Sequence, residues 1–201
     1  GTLYAQGKTI YRDFSYMSQM PYHPLLLAAV YRLLHTQHYL LAGRLVSSAC
    51  DIVTMICIVL IYRRAFGGFR LYAAFFGLCA ALLYVYHPLV QYANGYAWNH
   101  DVVVACVAVS FLLFAGGRPE KKSSRYLRAA AMGVLLTFAS CMRVTTVIIE
   151  VLFLPMILLE GEATLGERLK GALSFLGAAA VVLLWPLCLL IQAPRAFIVN
   201  L

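Results

Sequence analysis

Leu40 to Tyr62, LLAGRLVSSACDIVTMICIVLIY, decides the class of this chain. Its charges are Arg44 and Asp51, set in a run that is otherwise apolar or small. As a helix it is long enough to cross the ~30 Å hydrocarbon of a bilayer, which takes about 20 residues. It ends in Arg63-Arg64 and the turn Gly67-Gly68. The rest of the chain is of the same kind: 63% of its 201 residues are hydrophobic, 12% are charged, and the mean hydropathy is +0.82. A water-soluble domain carries about a quarter of its residues charged, so half of that polar surface is missing. The composition predicts an all-α, polytopic transmembrane helical bundle.

Working outward, residues 40–201 divide into about six spans, approximately 40–62, 71–87, 98–115, 128–142, 144–159 and 171–191. Ahead of them, residues 1–39 read as an outward-facing loop with interfacial helices. There the run LLLAAVYRLLH after Pro24 is too short to cross, so it predicts an amphipathic juxtamembrane helix with Pro24 in its first turn. The chain starts at Gly1 rather than an initiator Met and stops at Leu201 without a polar tail. We read it as a fragment of a longer protein. No internal repeat and no soluble domain is evident.

Sidedness follows from the bases. With alternating spans, Arg63, Arg64, Arg70, Arg118, Lys121, Lys122, Arg125, Arg128, Arg168 and Lys170 fall on one side. Lys8, Arg12, Arg32, Arg44, Arg143 and Arg195 fall on the other. The positive-inside rule makes the first group cytoplasmic and turns residues 1–24 outward. All five histidines (His23, His35, His38, His87 and His100) then face outward, with Asp13, Asp101, Tyr16 and much of the aromatic content. Some of those rings form an interfacial belt, but the titratable groups point to chemistry at the outer membrane–water boundary. Bases dispersed in this way exclude a nucleic-acid footprint. The six cysteines sit in apolar runs without a CxxC, which argues against disulfides and zinc.

Three stretches carry candidate chemistry. In GKTIYRDF (7–14), Arg12 and Lys8 keep Asp13 ionised, able to orient a hydroxyl or accept its proton; a surface ion pair explains the same residues. In MPYHP (20–24), two prolines stiffen an extended segment that would hold His23 over the membrane; a plain turn before a helix does as well. In NGYAWNHD (94–101), His100 beside Asp101 is a base with an orienting partner, half of a metal site, or helix capping by Asn99 or Asp101. Arg44 and Arg143, near outward span ends, either clamp a phosphate or reach for headgroups. Each has an acid seven residues on, Asp51 and Glu150, on the same face of a continuous helix. An acid inside a membrane costs at least ~2.5 kcal/mol, so both are functional candidates, with interhelical bonding the plainer reading. There is no P-loop, no GxGxxG after a strand, no HExxH and no GxSxG.

Taken together, Tyr11-Arg12-Asp13-Phe14 and Pro21 to Pro24 before a short helix resemble the first outer loop of GT-C-fold integral-membrane glycosyltransferases. Ala42-Gly43-Arg44-Leu45, Arg63-Arg64-Ala65-Phe66-Gly67, Trp98-Asn99-His100-Asp101 and Met142-Arg143-Val144-Thr145 are similar landmarks. The likeness is to the protein O-mannosyltransferase-like and lipid A aminoarabinose transferase-like group, over its N-terminal half. That resemblance implies an inverting glycosyltransferase of the cell envelope, in the bacterial inner membrane with its active face outward. Its donor is a polyprenyl-phosphate-linked sugar of hexosyl or pentosyl type, and its acceptor a hydroxyl of a glycan, lipid or protein. It implies Asp13 as the catalytic carboxylate available here, at the secondary acidic position of the pattern, the principal Asp falling upstream of Gly1. Lys8, Arg12, Arg44 and Arg143 would bind the phosphate, and Tyr11, His23, Trp98, Asn99, His100 and Asp101 would line the cavity. No metal ligand is assigned, although a divalent cation is left open. The alternative is a multi-pass transporter or flippase that uses Asp51 and Glu150.

Overall fold

The computed structural model describes residues 1–14, 22–116, 122–159 and 163–200. Tyr16, Met20, Pro21, Arg118 and Lys121, named above, lie outside the described residues. Among the described residues there is no strand. The helices are α1 (Thr2–Ala5), α2 (Tyr22–Leu33), α3 (Tyr39–Ala65), α4 (Arg70–Val85), α5 (Pro88–Tyr96), α6 (His100–Ala115), α7 (Lys122–Met142), α8 (Val147–Leu158), α9 (Leu165–Gln192) and α10 (Pro194–Asn200). A 3₁₀ turn, Val144–Thr146, leads into α8. The chain is an all-α helical membrane bundle. By length and apolar composition α3 and α9 suffice to cross a bilayer, and α4 with α5, bent by 55° at their junction, make a third if they count as one span.

Two helices start earlier than hydropathy predicts. α9 begins at Leu165 because Thr164 and Glu167 form a capping box: the Thr164 hydroxyl accepts from the Glu167 amide at 3.4 Å, and the Glu167 carboxylate accepts from the Thr164 amide at 3.3 Å. α7 begins at Lys122, and its early turns carry Arg125, which pairs with Glu167 at 3.0 Å in a nearly buried ion pair. α2 begins at Tyr22, so Tyr22, His23 and Pro24 form its first turn instead of an extended segment. Proline is at home there, since amides in a first turn have no carbonyl to bond. His23 is buried rather than held at the surface, and burial pushes its imidazole pKa down to about 4.

The closest helix contact is between α7 and α9. A Cβ on Gly133 would stand 2.3 Å from the Phe175 carbonyl oxygen, so only a residue without a side chain permits this approach. Around it Met132, Leu136, Phe153 and Phe175 form one core. Tyr22, Val102, Val103, Ala139 and Met142 form a second. Leu71, Leu83, Ile148 and Ile191 stand mostly exposed on the outer faces, as a bundle solvated by lipid requires.

Several carbonyls that lose their helical partner find donors on neighbouring helices. Pro186 has no N–H, which leaves the Val182 carbonyl four residues earlier without its bond; the Tyr22 hydroxyl donates to it. Carbonyls in a last helical turn have the same deficit. The amide of Asn99 donates to Met142 at 2.7 Å, Arg44 Nε to Gly95 at 2.9 Å, Arg168 Nη1 to Leu158 at 3.3 Å, and Arg64 Nη1 to Leu112.

Three outcomes follow from this packing. Gly133→Ala forces two backbones apart and lowers stability by about 3 kcal/mol or more, whereas Gly177→Ala, which meets nothing within 4 Å, leaves the melting temperature in detergent unchanged or slightly raised. Tyr22→Phe strands the Val182 carbonyl and costs about 1–3 kcal/mol. In a Pro186→Ala background, which restores the missing N–H, the same change costs less than half as much, as a double-mutant cycle reads. For His23 the folded pKa lies below the unfolded value of about 6.5. Its contribution is therefore complete above pH 6.5 and falls by up to about 3 kcal/mol as the pH drops towards 4. Melting temperature against pH, steeper in that window for the parent than for His23→Asn, is the check.

Candidate active site at the Trp98–Asp101 end of the bundle

Alternation of α3, α4, α6 and α7 brings Arg44, the α5–α6 junction and Arg143 to one end, and direct contacts tie them together there. The junction is shaped by the end of α5. Trp98 N–H donates to Ala93 O at 3.0 Å and Ala97 N–H to Asn94 O at 3.2 Å, with Ala97 left-handed at φ 52°. This is a Schellman closure with alanine where glycine is usual. The turn lies against α3 because residue 43 is glycine: a Cβ there would meet the Ala97 Cβ at 2.7 Å. Arg44, one residue on, spends Nε on Gly95 O and keeps its two terminal nitrogens for other partners.

Beyond the turn, the expected capping by Asn99 or Asp101 does not occur. Asn99 is buried and its amide holds the end of α7. Asp101 is fully buried with the Ser47 hydroxyl as its polar neighbour, and among the described residues no well-formed hydrogen bond reaches its carboxyl oxygens. His100 faces Arg143 instead of Asp101: Arg143 Nη1 lies 3.2 Å from His100 Nδ1. Arginine can only donate, so Nδ1 accepts and the ring proton sits on Nε2. His100 is thereby oriented as a neutral N–H donor beside a cation. Trp98, 44% exposed, stands over Tyr92 with centroids 5.9 Å apart, and Tyr96 completes an aromatic ledge.

The Asp13 loop forms a separate cluster. Ile10 and Phe14 pair in an isolated bridge, and Ile10, Tyr11 and Phe14 pack with Leu189 and Phe197 at the far end of α9 and on α10. Asp13 accepts from the Thr9 amide at 2.7 Å and from Arg12 at 3.1 and 3.2 Å. The Arg12 guanidinium first, then the Thr9 amide, hold its carboxyl below the usual carboxylate range. Lys8 is exposed. The Tyr11 ring rests edge-on against Phe197 at 5.8 Å, its hydroxyl buried without a partner among the described residues. None of these bonds reaches Arg44, His100 or Arg143. His23 belongs to neither cluster and sits within α2.

The two intramembrane acids are bonded between helices. Asp51 accepts from Tyr84 of α4 at 2.8 Å and from Asn94 of α5 at 2.7 Å, so one carboxylate grips both sides of the 55° bend. Thr137 of α7 donates to Glu150 of α8. The helical-face argument linking Arg143 to Glu150 fails, because Arg143 is extended at φ −147°, ψ 104° and no continuous helix joins them. Tyr84 belongs to no motif, and Asn94, although inside the NGYAWNHD stretch, was given no role there; the signal was an acid inside a span that needs donors. Among the described residues no three His, Cys, Asp or Glu side chains gather as a metal site, and all six cysteines are free thiols.

A family profile described as dolichyl-phosphate-mannose-protein mannosyltransferase matches residues 18–186. No curated protein and no solved structure matches the chain. The matched stretch contains Arg44, Trp98 to Asp101 and Arg143, and begins after Asp13. With that match over most of its length, the chain belongs to the dolichyl-phosphate-mannose-protein mannosyltransferase family, membrane glycosyltransferases of the mannosyltransferase type that draw on polyprenyl-phosphate-linked sugars.

Proposed function

We propose that this protein transfers a sugar from a polyprenyl-phosphate donor to an acceptor hydroxyl at the outer face of a membrane, with inversion. The family match carries the reading. In the transfer, the acceptor oxygen attacks the anomeric carbon, the bond from that carbon to the phosphate oxygen breaks, and the lipid phosphate leaves. Asp13, ionised and accessible, orients the acceptor hydroxyl and receives its proton as the new bond forms. Its depressed pKa suits it to a late proton transfer rather than early abstraction.

The departing phosphate gains negative charge at its bridging oxygen, and stabilising that charge lowers the barrier. Arg143 and Arg44 are the cations for this, each with one nitrogen committed to the protein, which fixes the fork before the ligand arrives. His100 adds its Nε2–H as a neutral donor. Lys8 and Arg12 attract the anionic head as it approaches. Trp98 and its aromatic ledge offer an apolar face to the sugar ring. Asn99 and Asp101, both buried, act beneath that surface, while Tyr11, packed on Phe197, and His23, buried in α2, support the fold and take no part in the transfer. The placement of bases favours an outward site in a cell membrane, with the bacterial inner membrane as the setting.

Transport has less support, since Asp51 and Glu150 each have an interhelical partner. In the full-length protein supplied with a polyprenyl-phosphate mannose, Arg143→Ala and Arg44→Ala each lower kcat by about 10²- to 10³-fold. Asp13→Asn lowers it by about 10²-fold or more. Full activity in both arginine variants would remove the assignment of the phosphate site, and labelling of an Asp13→Cys variant solely from the cytoplasmic side would remove the outward orientation.

A further inference from the structure

Arg44, Ser48 and Asp51 follow one another on α3 at spacings of four and three residues, so they share one face of a continuous helix. Opposite them lies the last turn of α5. Arg44 Nε donates to Gly95 O at 2.9 Å, Ser48 Oγ stands 3.4 Å from Asn94 Nδ2, and Asn94 Nδ2 donates to Asp51 Oδ2 at 2.7 Å. Arg44 and Asp51 are about 10 Å apart along the helix axis, too far to touch. Two consecutive residues of α5, Asn94 and Gly95, join them all the same.

The remaining contacts of α5 are apolar. Val90 and Ala93 are buried, and Ala97 beyond the helix end rests on Gly43. Contacts of that kind let a nine-residue helix roll or slide, the more so where the surroundings are hydrocarbon. A slip of one residue would move the Gly95 carbonyl by about 1.5 Å and swing it by about 100°. The Arg44 guanidinium, bonded to that carbonyl, would go with it. The Asn94 bond blocks the slip. A carboxylate accepts more strongly than a neutral amide, and the other Asp51 oxygen accepts from Tyr84 of α4 at 2.8 Å, so the acceptor is itself held still. We infer that Asp51 is a positioning residue for sugar transfer: by holding Asn94 it fixes the register of α5 on α3 and so aims Arg44, through Gly95 O, at the departing phosphate. It rests on the phosphate role proposed for Arg44. Asp51 touches neither substrate, and no proton passes through it.

The test uses the full-length protein with a polyprenyl-phosphate mannose. Asn94→Ala lowers kcat about tenfold and leaves KM within about twofold, because the aim of Arg44 matters most when charge develops on the leaving oxygen. Asp51→Ala does the same; where it fails to fold, Asn94→Ala decides. Exchanging the pair, Asp51→Asn with Asn94→Asp, rebuilds the bond with donor and acceptor reversed and returns kcat to within about threefold of the parent. Tyr84→Phe, which removes the other bond to Asp51, lowers the melting temperature as much as Asn94→Ala but keeps kcat within about twofold. In an Arg44→Ala background Asn94→Ala causes no further loss, since the group it aims is gone. A kcat in Asn94→Ala equal to the parent beside an impaired Arg44→Ala overturns this inference alone. Losses that multiply in the double variant, no rescue by the exchange, or an equal fall in Tyr84→Phe overturn it too, by reducing Asp51 to a brace of the fold. Full activity in Arg44→Ala removes the phosphate reading and this role with it.

Discussion

Water does not reach the middle of a bilayer, so any backbone carbonyl released by a break in a helix must find its donor inside the protein. This chain breaks its helices often: at Tyr86–His87, at Ala97–Asn99, at Arg143 and, by removal of an N–H, at Pro186. The side chains that answer those breaks hold the architecture together. Tyr22 serves Val182, Asn99 serves Met142, Arg44 serves Gly95 and Arg168 serves Leu158. Ser110 and Thr54 turn back on their own helices to satisfy their hydroxyls, bonding to the carbonyls of Cys106 at 2.8 Å and Cys50 at 2.9 Å. Apolar contact alone distinguishes poorly between helix neighbours when the solvent is itself hydrocarbon. These polar bonds, with the glycine contacts at Gly133 and Gly43, select one arrangement.

The same logic joins fold to site. Arg44 and Arg143 are anchored at one nitrogen before any ligand arrives, so little side-chain freedom remains to be lost when a phosphate binds. Arg143 also sets the tautomer of His100. Asn99, which sequence reasoning assigned to the cavity, is buried and works as the strut that holds α6 to the end of α7. Structural and chemical roles are divided among adjacent residues of one short motif, which is why the motif reads ambiguously in one dimension.

The helical class was legible because apolar length reports directly on lipid; of the six spans expected, two helices, or three with the bent α4–α5 pair, are long and apolar enough to cross among the described residues. The Trp98–Asp101 and Arg143 landmarks were legible as types, and the structure puts His100 and Arg143 in contact. What sequence could not give was partnership. His100 and Asp101 are neighbours in the chain, yet a helix turns adjacent side chains by about 100°, and His100 pairs across to another helix. Arg143 and Glu150 have helical spacing but no common helix. The capping box at Thr164 and Glu167 was present in the letters and was outweighed by the hydropathy of residues further on. Asp51 was visible as a buried acid, but its grip on both arms of the α4–α5 bend depends on Tyr84, which belongs to no motif, and on Asn94, whose motif gave no hint of that partner.

The modest length of several helices has a consequence for the surrounding lipid. α4 and α6 have sixteen residues each and α8 twelve, so they measure about 24 Å and 18 Å against a hydrocarbon layer of about 30 Å. Acyl chains beside these flanks must shorten or tilt to meet them, pinching the leaflets together locally. A lipid carrying a polar head at such a dimple has less oil to cross before that head reaches protein.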